Sequence, residues 1–198
     1  MRYPKLRELR EAIKALVKGP YTSRFPYEPH KPYEGFRGKP EFHEDECTGC
    51  GACVQVCPSG ALSMQDINGK RILTIRWDIC IFCGQCQANC LTEKGIILSE
   101  EFDLAITEKR ENLIQTIEKK LVICNGCGEV IAPYEQILWV AKRLGPLVYT
   151  NASLMLFYSS HQQLSDKVVS SKEEKEFLRS DRIRILCPRC RREAVLKS

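Results

Sequence analysis

The chain has 198 residues, enough for one ordinary domain or two small ones, and its 12 cysteines are its most unusual compositional feature. The formal net charge of +5 is too modest to indicate a nucleic-acid-binding protein by itself. The sequence opens with charged residues and contains no apolar run long enough for a signal peptide or a membrane span, which favours a reducing, cytoplasmic location. In that compartment clustered thiols are more often metal ligands than disulfides, so a disulfide framework is strongly disfavoured.

Residues 1–19 are predicted to form a basic amphipathic helix that ends at Gly19. Its apolar stripe would be covered by the rest of the domain, a partner subunit or a membrane surface. The proline-rich linker that follows favours a partner or a membrane, so we expect a peripheral docking helix. Residues 20–40 are rich in proline and aromatic residues, which predicts an extended linker, with a disordered tail as the alternative. The predicted apolar stripe comprises Leu6, Leu9, Ile13, Leu16 and Val17, and the basic residues Lys5, Arg7, Arg10, Lys14 and Lys18 lie largely elsewhere.

Residues 41–101 contain a duplicated cysteine run, in which every cysteine of the first copy recurs 33 positions later. The spacing C-x2-C-x2-C-x3-C is typical of bacterial ferredoxins with two [4Fe–4S] clusters, where three cysteines hold one cluster and the fourth reaches the other. The pattern therefore predicts Cys47, Cys50, Cys53 and Cys90 as ligands of cluster 1, and Cys80, Cys83, Cys86 and Cys57 as ligands of cluster 2.

The residues around these cysteines suit tight loops. Gly49, Gly51 and Gly84 allow a sharp bend that points backbone N–H groups at cluster sulfurs. Pro58 follows the first run, but Leu91 stands at the equivalent position of the second, so the sequence leaves the geometry of that turn open. Between the runs, alternating apolar residues around Asn68-Gly69 predict a hairpin over residues 62–77. Residues 102–120 are expected to be a connecting segment, in which residues 103–120 form either a helix or a strand followed by a helix.

Residues 121–198 carry the last four cysteines as two C-x2-C pairs, which are typical of a closed tetrahedral metal site. We predict Zn²⁺ there, with mononuclear iron as the alternative, because both accept four thiolates. The separation of the pairs by 59 residues exceeds that of an ordinary zinc ribbon. Residues 133–145 are predicted to be a helix and 159–177 an exposed loop leading into a short helix; His30, His43 and His161 are not expected to be ligands. The predicted ligands are Cys124, Cys127, Cys187 and Cys190.

The predicted fold class is α+β: a ferredoxin-like two-cluster core, an N-terminal amphipathic helix and a C-terminal zinc-ribbon-like metal domain. The order FRGKPE, two cysteine runs with CIFCGQC in the second, SEEFDLA and a late CxxC pair resembles the iron–sulfur electron-transfer subunit of formate hydrogenlyase and related membrane-bound [NiFe] hydrogenases. The same core is similar to the eight-iron ferredoxin-type subunit of respiratory complex I, and the late CxxC pair favours the hydrogenlyase type.

The resemblance implies a non-catalytic subunit, peripheral on the cytoplasmic side of the membrane. It would pass electrons from a donor module or a ferredoxin to the hydrogenase small subunit. The sequence also lacks a Ser-His-Asp set, a phosphate loop and a dinucleotide fingerprint. The alternatives are a complex I-type subunit of another membrane-bound oxidoreductase and a soluble ferredoxin-like carrier. A nucleic-acid-binding role is disfavoured because residues 171–198 contain only nine Lys or Arg against five Asp or Glu.

Overall fold

A computed structural model describes residues 5–19, 22–107, 109–164 and 184–196. The chain divides into two compact units, Met1–Phe36 and Arg37–Ser198. In the described residues no helix combines the length and the apolar character needed to cross a bilayer.

In its described residues the first unit contains one helix, α1 (Leu6–Lys18). The backbone N–H of Lys5 donates a hydrogen bond to the Glu8 carboxylate at 3.2 Å, which satisfies one of the free N–H groups at the helix start. The predicted apolar stripe is exposed along its whole length, with Leu6 at 86% and Leu16 at 85% exposure.

The second unit begins with two short helices and two small sheets around the cysteine runs. Strand β1 (Pro40–Phe42) pairs antiparallel with β4 (Ile96–Leu98), so the segments before and after the duplicated cysteine runs are held together. Helices α2 (Ala52–Gln55) and α3 (Gln85–Ala88) lie within the first and second runs, 33 positions apart. The duplication in sequence is therefore a duplication in structure.

The predicted hairpin between the runs is present as β2 (Leu62–Ile67) and β3 (Lys70–Arg76). Asn68 and Gly69 both have positive φ, as a two-residue type I′ turn requires. A 3-10 turn, Trp77–Ile79, connects β3 to the second run.

The expectation for residues 103–120, a helix or a strand followed by a helix, is wrong. A 3-10 turn at Arg110–Leu113 comes first and leads into the ten-residue strand β5 (Ile114–Ile123). Strand β5 pairs antiparallel with β3 and then with β6 (Val130–Pro133), giving the sheet order β2-β3-β5-β6. Ile117 and Leu121 alternate with exposed residues, and this period of two favours a strand over a helix. The predicted boundary at residue 120 falls inside this strand.

A core of aliphatic side chains lies between the sheet and the cysteine loops. Leu73 and Ile75 from β3 are fully buried, and Ile96 from β4 is 1% exposed. The cluster also includes Phe42, Leu62 and Ile117, together with the third cysteine of each run.

The C-terminal part contains helices α4 (Tyr134–Leu144), α5 (Ala152–His161) and α6 (Pro188–Leu196), with a 3-10 turn at Gly145–Thr150. The helix predicted for residues 133–145 is confirmed, with Pro133 before it and Gly145 after it. Residues 159–161 end α5 and do not begin a loop, because the run from 152 onwards is apolar enough to pack. The rest of the predicted exposed segment, 165–177, lies outside the described residues.

Candidate metal centres

The first cysteine loop bends through two glycines in the left-handed region. Gly49 has φ +72° and Gly51 has φ +79°, and Gly51 then begins α2. The short helix directs Cys53 into the core, where it is 7% exposed. The guanidinium of Arg71 donates to the carbonyl oxygen of Gly49 at 3.1 Å and fixes the bend. The loop is thereby held against the sheet.

The second loop repeats this geometry. Gly84 has φ +79° and begins α3, which directs Cys86 into the same core at 8% exposure. Phe82 occupies the position equivalent to Gly49 and also has positive φ, +52°. Arg37 donates to the carbonyl oxygen of Cys83 at 3.4 Å. Both loops therefore have the same backbone, with one bulky residue in a conformation that costs a non-glycine residue about 1–2 kcal/mol.

The fourth cysteine of each run lies beside the other loop. A Cβ built on Gly95 would lie 3.2 Å from Cys90 Sγ and 3.0 Å from Cys47 Cα, so this glycine separates the end of the second run from the start of the first. One cavity is lined by Cys57 together with Cys80, Cys83 and Cys86. Four thiols around one void is the donor set that a [4Fe–4S] cluster requires, so these residues fit such a group.

The thiols within each loop differ in their pKa values. Burial, reinforced by neighbouring thiols, raises the pKa of Cys53 to about 12 and that of Cys86 to about 11. For Cys57 and Cys90 burial acts in the same direction, but hydrogen bonds outweigh it and the pKa is lowered. The fourth cysteine of each run is the one whose thiolate the protein favours.

A hydroxyl group accompanies each of these two thiolates. Ser59 Oγ lies 3.7 Å from Cys57 Sγ, and Thr92 Oγ lies 3.5 Å from Cys90 Sγ. Thr92 also accepts a hydrogen bond from the backbone N–H of Gly95 at 3.0 Å. The repeat thus extends beyond the cysteines to their hydrogen-bonding partners.

The last four cysteines meet in one place. The sulfurs of Cys124, Cys127, Cys187 and Cys190 all lie within 4.8 Å of one another, with only Cys127 exposed. Strand β5 ends just before Cys124, and the turn before β6 carries Cys127. Helix α6 begins just after Cys187 and carries Cys190 in its first turn.

Backbone N–H groups converge on these sulfurs. The N–H of Cys187 donates to Cys124 Sγ at 3.2 Å, and the N–H of Cys190 donates to Cys187 Sγ at 3.4 Å. Burial opposes ionisation of Cys124, but the N–H bonds from Cys187 and Gly126 outweigh it and lower the pKa to about 7. Burial and the neighbouring thiols raise the pKa of Cys190. This is an arrangement suited to a closed tetrahedral site.

The histidines take no part in these centres. The Nδ1 atom of His161 lies 2.7 Å from the Tyr134 hydroxyl, with which it forms a hydrogen bond. His43 is exposed at the start of the first loop, and His30 lies in the exposed stretch of the first unit. None belongs to a group of potential metal ligands in the described part of the chain.

Sequence reasoning missed one residue of the first loop's surroundings, Lys119 on β5. Its side chain is 6% exposed, and its ammonium group donates to the carbonyl oxygen of Glu44 at 2.5 Å. A Cβ on Gly49 would lie only 3.0 Å from the Cβ and Cγ of Lys119, so the two are packed together. The alternation along β5 could have predicted this burial, because Lys119 falls on the same inward-facing positions as Ile117 and Leu121.

A known domain family and several known proteins are similar to this chain. The family of 4Fe-4S dicluster domains matches residues 23–61 and 46–94. Formate hydrogenlyase subunit 6 of Escherichia coli (strain K12) is 33% identical over 175 residues, which cover 87% of this chain and 93% of that protein. NAD(P)H-quinone oxidoreductase subunit I of Gloeobacter violaceus is 31% identical over 102 residues, 46% of this chain and 47% of that protein.

Among solved structures, one chain of the membrane-bound sulfane sulfur reductase, an archaeal respiratory membrane complex, is 30% identical. The match covers 57% of this chain and 62% of that one. Its TM-score is 0.42, which is too low to establish a common fold.

Proposed function

The chain belongs to the family of formate hydrogenlyase subunit 6 and is an iron–sulfur electron-transfer subunit, and we propose that it relays electrons to the small subunit of a membrane-bound [NiFe] hydrogenase. The observation that carries the proposal is the repeat of the cysteine runs at 33 positions, with the fourth cysteine of each run beside the other loop. Its partners are then the other subunits of the complex. Similarity to the hydrogenlyase subunit covers 87% of the chain, against 46% for the oxidoreductase subunit, and this favours the hydrogenlyase type.

The proposed ligands follow the crossed pattern. Cys47, Cys50, Cys53 and Cys90 would hold cluster 1, and Cys80, Cys83, Cys86 and Cys57 would hold cluster 2. Three features support this assignment: the position of Gly95 between Cys47 and Cys90, the cavity shared by Cys57 and the second loop, and the lowered pKa of both fourth cysteines.

When bound, the clusters would supply one-electron redox chemistry, and the residues of the chain would hold them and shield them from water. Cys53 and Cys86 belong to one buried core, so both loops are anchored against the same set of side chains. Leu73, Ile75 and Ile96 keep water out of this core. Ser59 and Thr92 stabilise negative charge on the adjacent sulfurs. In this proposal the chain positions and shields the electron path and acts as an electron relay.

For the C-terminal site we propose Zn²⁺ held by Cys124, Cys127, Cys187 and Cys190. The support is the meeting of four sulfurs within 4.8 Å and the N–H bonds that they accept. Such a site would tie the end of β5 to the start of α6, so its role would be structural. Mononuclear iron is the alternative, since it accepts the same ligands.

For the first unit we propose peripheral docking of the complex on the cytoplasmic side of the membrane. The exposed apolar stripe and the excess of basic residues on α1 suit a neighbouring subunit or an anionic membrane surface. Residues 20–40 would then serve as the extended linker that joins this helix to the cluster domain.

The test is a metal and sulfide determination, with low-temperature EPR, on the chain purified anaerobically within its native complex. We expect about eight iron and one zinc per chain and two interacting reduced cubanes. About nine iron without zinc would move the third site to mononuclear iron. About four iron would contradict the two-cluster assignment.

The partner is tested separately. In the intact complex, replacing Cys86 with Ala should stop electron flow to the hydrogenase small subunit, measured as loss of the reduced signal of that subunit after addition of donor. Full reduction of the small subunit by the variant would contradict the relay role. Replacement of His43, which is exposed and lies outside both sets of cysteines, is the matched control.

A further inference from the structure

One cation lies against the first cysteine loop without a compensating carboxylate. Within the described residues, Lys119 is the only buried charged side chain, and no carboxylate of the described part of the chain forms an ion pair with it. Its hydrogen bond goes to a neutral carbonyl, that of Glu44. Burying an ammonium group without an anion is costly, so a negative partner is expected nearby.

The residue opposite Lys119 increases the need for that anion. Lys119 on β5 and Arg71 on β3 are direct cross-strand partners, and like charges at such positions repel each other. Arg71 also contacts the first loop, at Gly49, but its charge is already neutralised. Two of its nitrogens bind the two carboxylate oxygens of Asp66, at 2.8 and 2.9 Å. Lys119 is the cation whose charge remains.

The first cysteine loop can supply that negative charge. Lys119 itself lies against the loop that carries Cys47 and Cys50: its ammonium group donates to the carbonyl oxygen of Glu44, and a Cβ on Gly49 would lie 3.0 Å from its Cβ and Cγ. Glu44, Asp45 and Glu46 precede Cys47, but all three side chains are exposed and are screened by water. The charge of Lys119 therefore acts on the first loop through protein, whereas these three carboxylates act through solvent.

Among the residues that the structure describes, no buried cation lies against the second loop. Arg37 donates to the carbonyl oxygen of Cys83 at 3.4 Å, but it is exposed and is screened by water. The two copies thus place nearly the same ligands in different electrostatic surroundings. This inference rests on the two-cluster assignment proposed above.

We propose that Lys119 raises the reduction potential of cluster 1 above that of cluster 2, so that an electron entering the chain resides on cluster 1. Reduction adds one negative charge to a site that is already anionic, and a nearby cation stabilises that state. The step is a one-electron transfer in which cluster 2 is oxidised and cluster 1 is reduced, with no bond made or broken. Lys119 is not a cluster ligand and acts on the reduction potential of cluster 1 only through its electric field.

The experiment is a redox titration followed by EPR on the anaerobic complex, with Lys119→Gln and Lys119→Met compared with the parent. Gln removes the charge and keeps a group that donates to Glu44, whereas Met removes both. Lys70→Gln is the matched control, since Lys70 carries the same charge on the neighbouring strand, but is exposed and paired with Glu118. The Cys86→Ala variant, which would keep cluster 1 alone, assigns the signals.

We expect both Lys119 variants to lower the reduction potential of cluster 1. At a fixed applied potential, the ratio of reduced cluster 1 to reduced cluster 2 should fall roughly tenfold, whereas Lys70→Gln should leave it unchanged. Unchanged potentials with full iron content would overturn the proposal. A shift in Lys119→Met alone would also overturn it, because the hydrogen bond and not the charge would then be responsible.

Iron content separates this result from failure of the two-cluster assignment. If the parent holds about eight iron and the titration shows no difference, only the role of Lys119 is lost. If the uncharged variants lose iron from the first loop, Lys119→Arg decides between charge and shape. If Lys119→Arg retains its iron and has the parental potential, the charge of Lys119 is responsible. If Lys119→Arg also loses iron, the proposal is overturned.

Discussion

The first cysteine loop, residues 47–60, and the second, residues 80–93, share one backbone but differ at its strained positions. The first has glycine at 49 and 60, where φ is +72° and +65°. The second has Phe82 and Glu93 there, at +52° and +62°. The backbone is the same because both loops must wrap three thiols around one centre, whereas the side chains differ because the loops contact different neighbours.

The neighbours explain the choice at the first position. Gly49 is packed against Lys119 and Pro133, and a Cβ would lie 3.0–3.3 Å from their side chains. Phe82 instead lines the cavity that Cys80, Cys83 and Cys86 also line. The two loops therefore keep the same backbone conformation, and packing against β5 decides which residue can occupy the positive-φ position.

The largest expected effect tests the crossing of the two loops. If Cys90 serves the first loop, a Cys53→Ala and Cys90→Ala double variant should lose no more iron than either single variant, about half of the total. The Cys86→Ala and Cys90→Ala pair should lose nearly all iron. Iron and sulfide analysis of the anaerobic complex measures both. The reverse result would mean that each run holds its own cluster.

The next effect compares Gly49 with its counterpart. Gly49→Ala should destabilise the protein by about 1–3 kcal/mol, because its positive φ costs a residue with a Cβ about 1–2 kcal/mol and the Cβ meets Lys119. Phe82→Ala introduces no new backbone strain and should cost less. Thermal unfolding under anaerobic conditions gives the values, at roughly 2–4 °C for each kcal/mol. Equal losses in the two variants would contradict the packing argument.

A smaller effect concerns the pH dependence of the cluster-free chain. Burial raises the pKa of Cys53 to about 12 and that of Cys86 to about 11, so both stay protonated when folded and ionise near 8.5 when unfolded. Their contribution to stability is present below pH 8.5 and is lost as the pH rises towards 11 and 12.

The cluster-free chain should therefore lose stability at alkaline pH. In urea unfolding between pH 8 and 10, stability should fall, and Cys53→Ala or Cys86→Ala should reduce that fall. Cys57 and Cys90, whose pKa is lowered, should be alkylated first as the pH rises, which mass spectrometry can follow. Alkylation of Cys53 before Cys57 would contradict this order.

The smallest effect tests the strain at the end of the second loop. Glu93 is exposed at φ +62°, so Glu93→Gly should stabilise the protein by up to about 1 kcal/mol by removing the left-handed cost. Lys94→Gly, next to it and also exposed, should be neutral or destabilising, because glycine gains freedom in the unfolded chain. A rise in melting temperature for both variants would point to a cause other than backbone strain.

Leu91 shows where local sequence was insufficient. The absence of proline left the second turn undetermined, yet Glu93 and Gly60 have nearly the same φ and each follows a cysteine by three residues. The hydrogen bonds from Gly60 to Cys57 and from Glu93 to Cys90 match as well, at 3.3 and 3.1 Å. The turn is imposed by the surrounding loop, so the proline is dispensable.

Sequence by itself determined the elements with a short-range signature: α1, the hairpin around Asn68-Gly69, helix α4 and both cysteine runs, because periodicity, turn residues and ligand spacing are local. It also determined the family, from motifs that extend along the chain. Only the tertiary structure decided that residues 114–123 form a strand beside β3, since strand pairing depends on residues far apart in sequence. The same applies to Lys119, whose burial and opposing Arg71 exist only once β5 pairs with β3, and to the meeting of Cys124 with Cys187, 63 positions later.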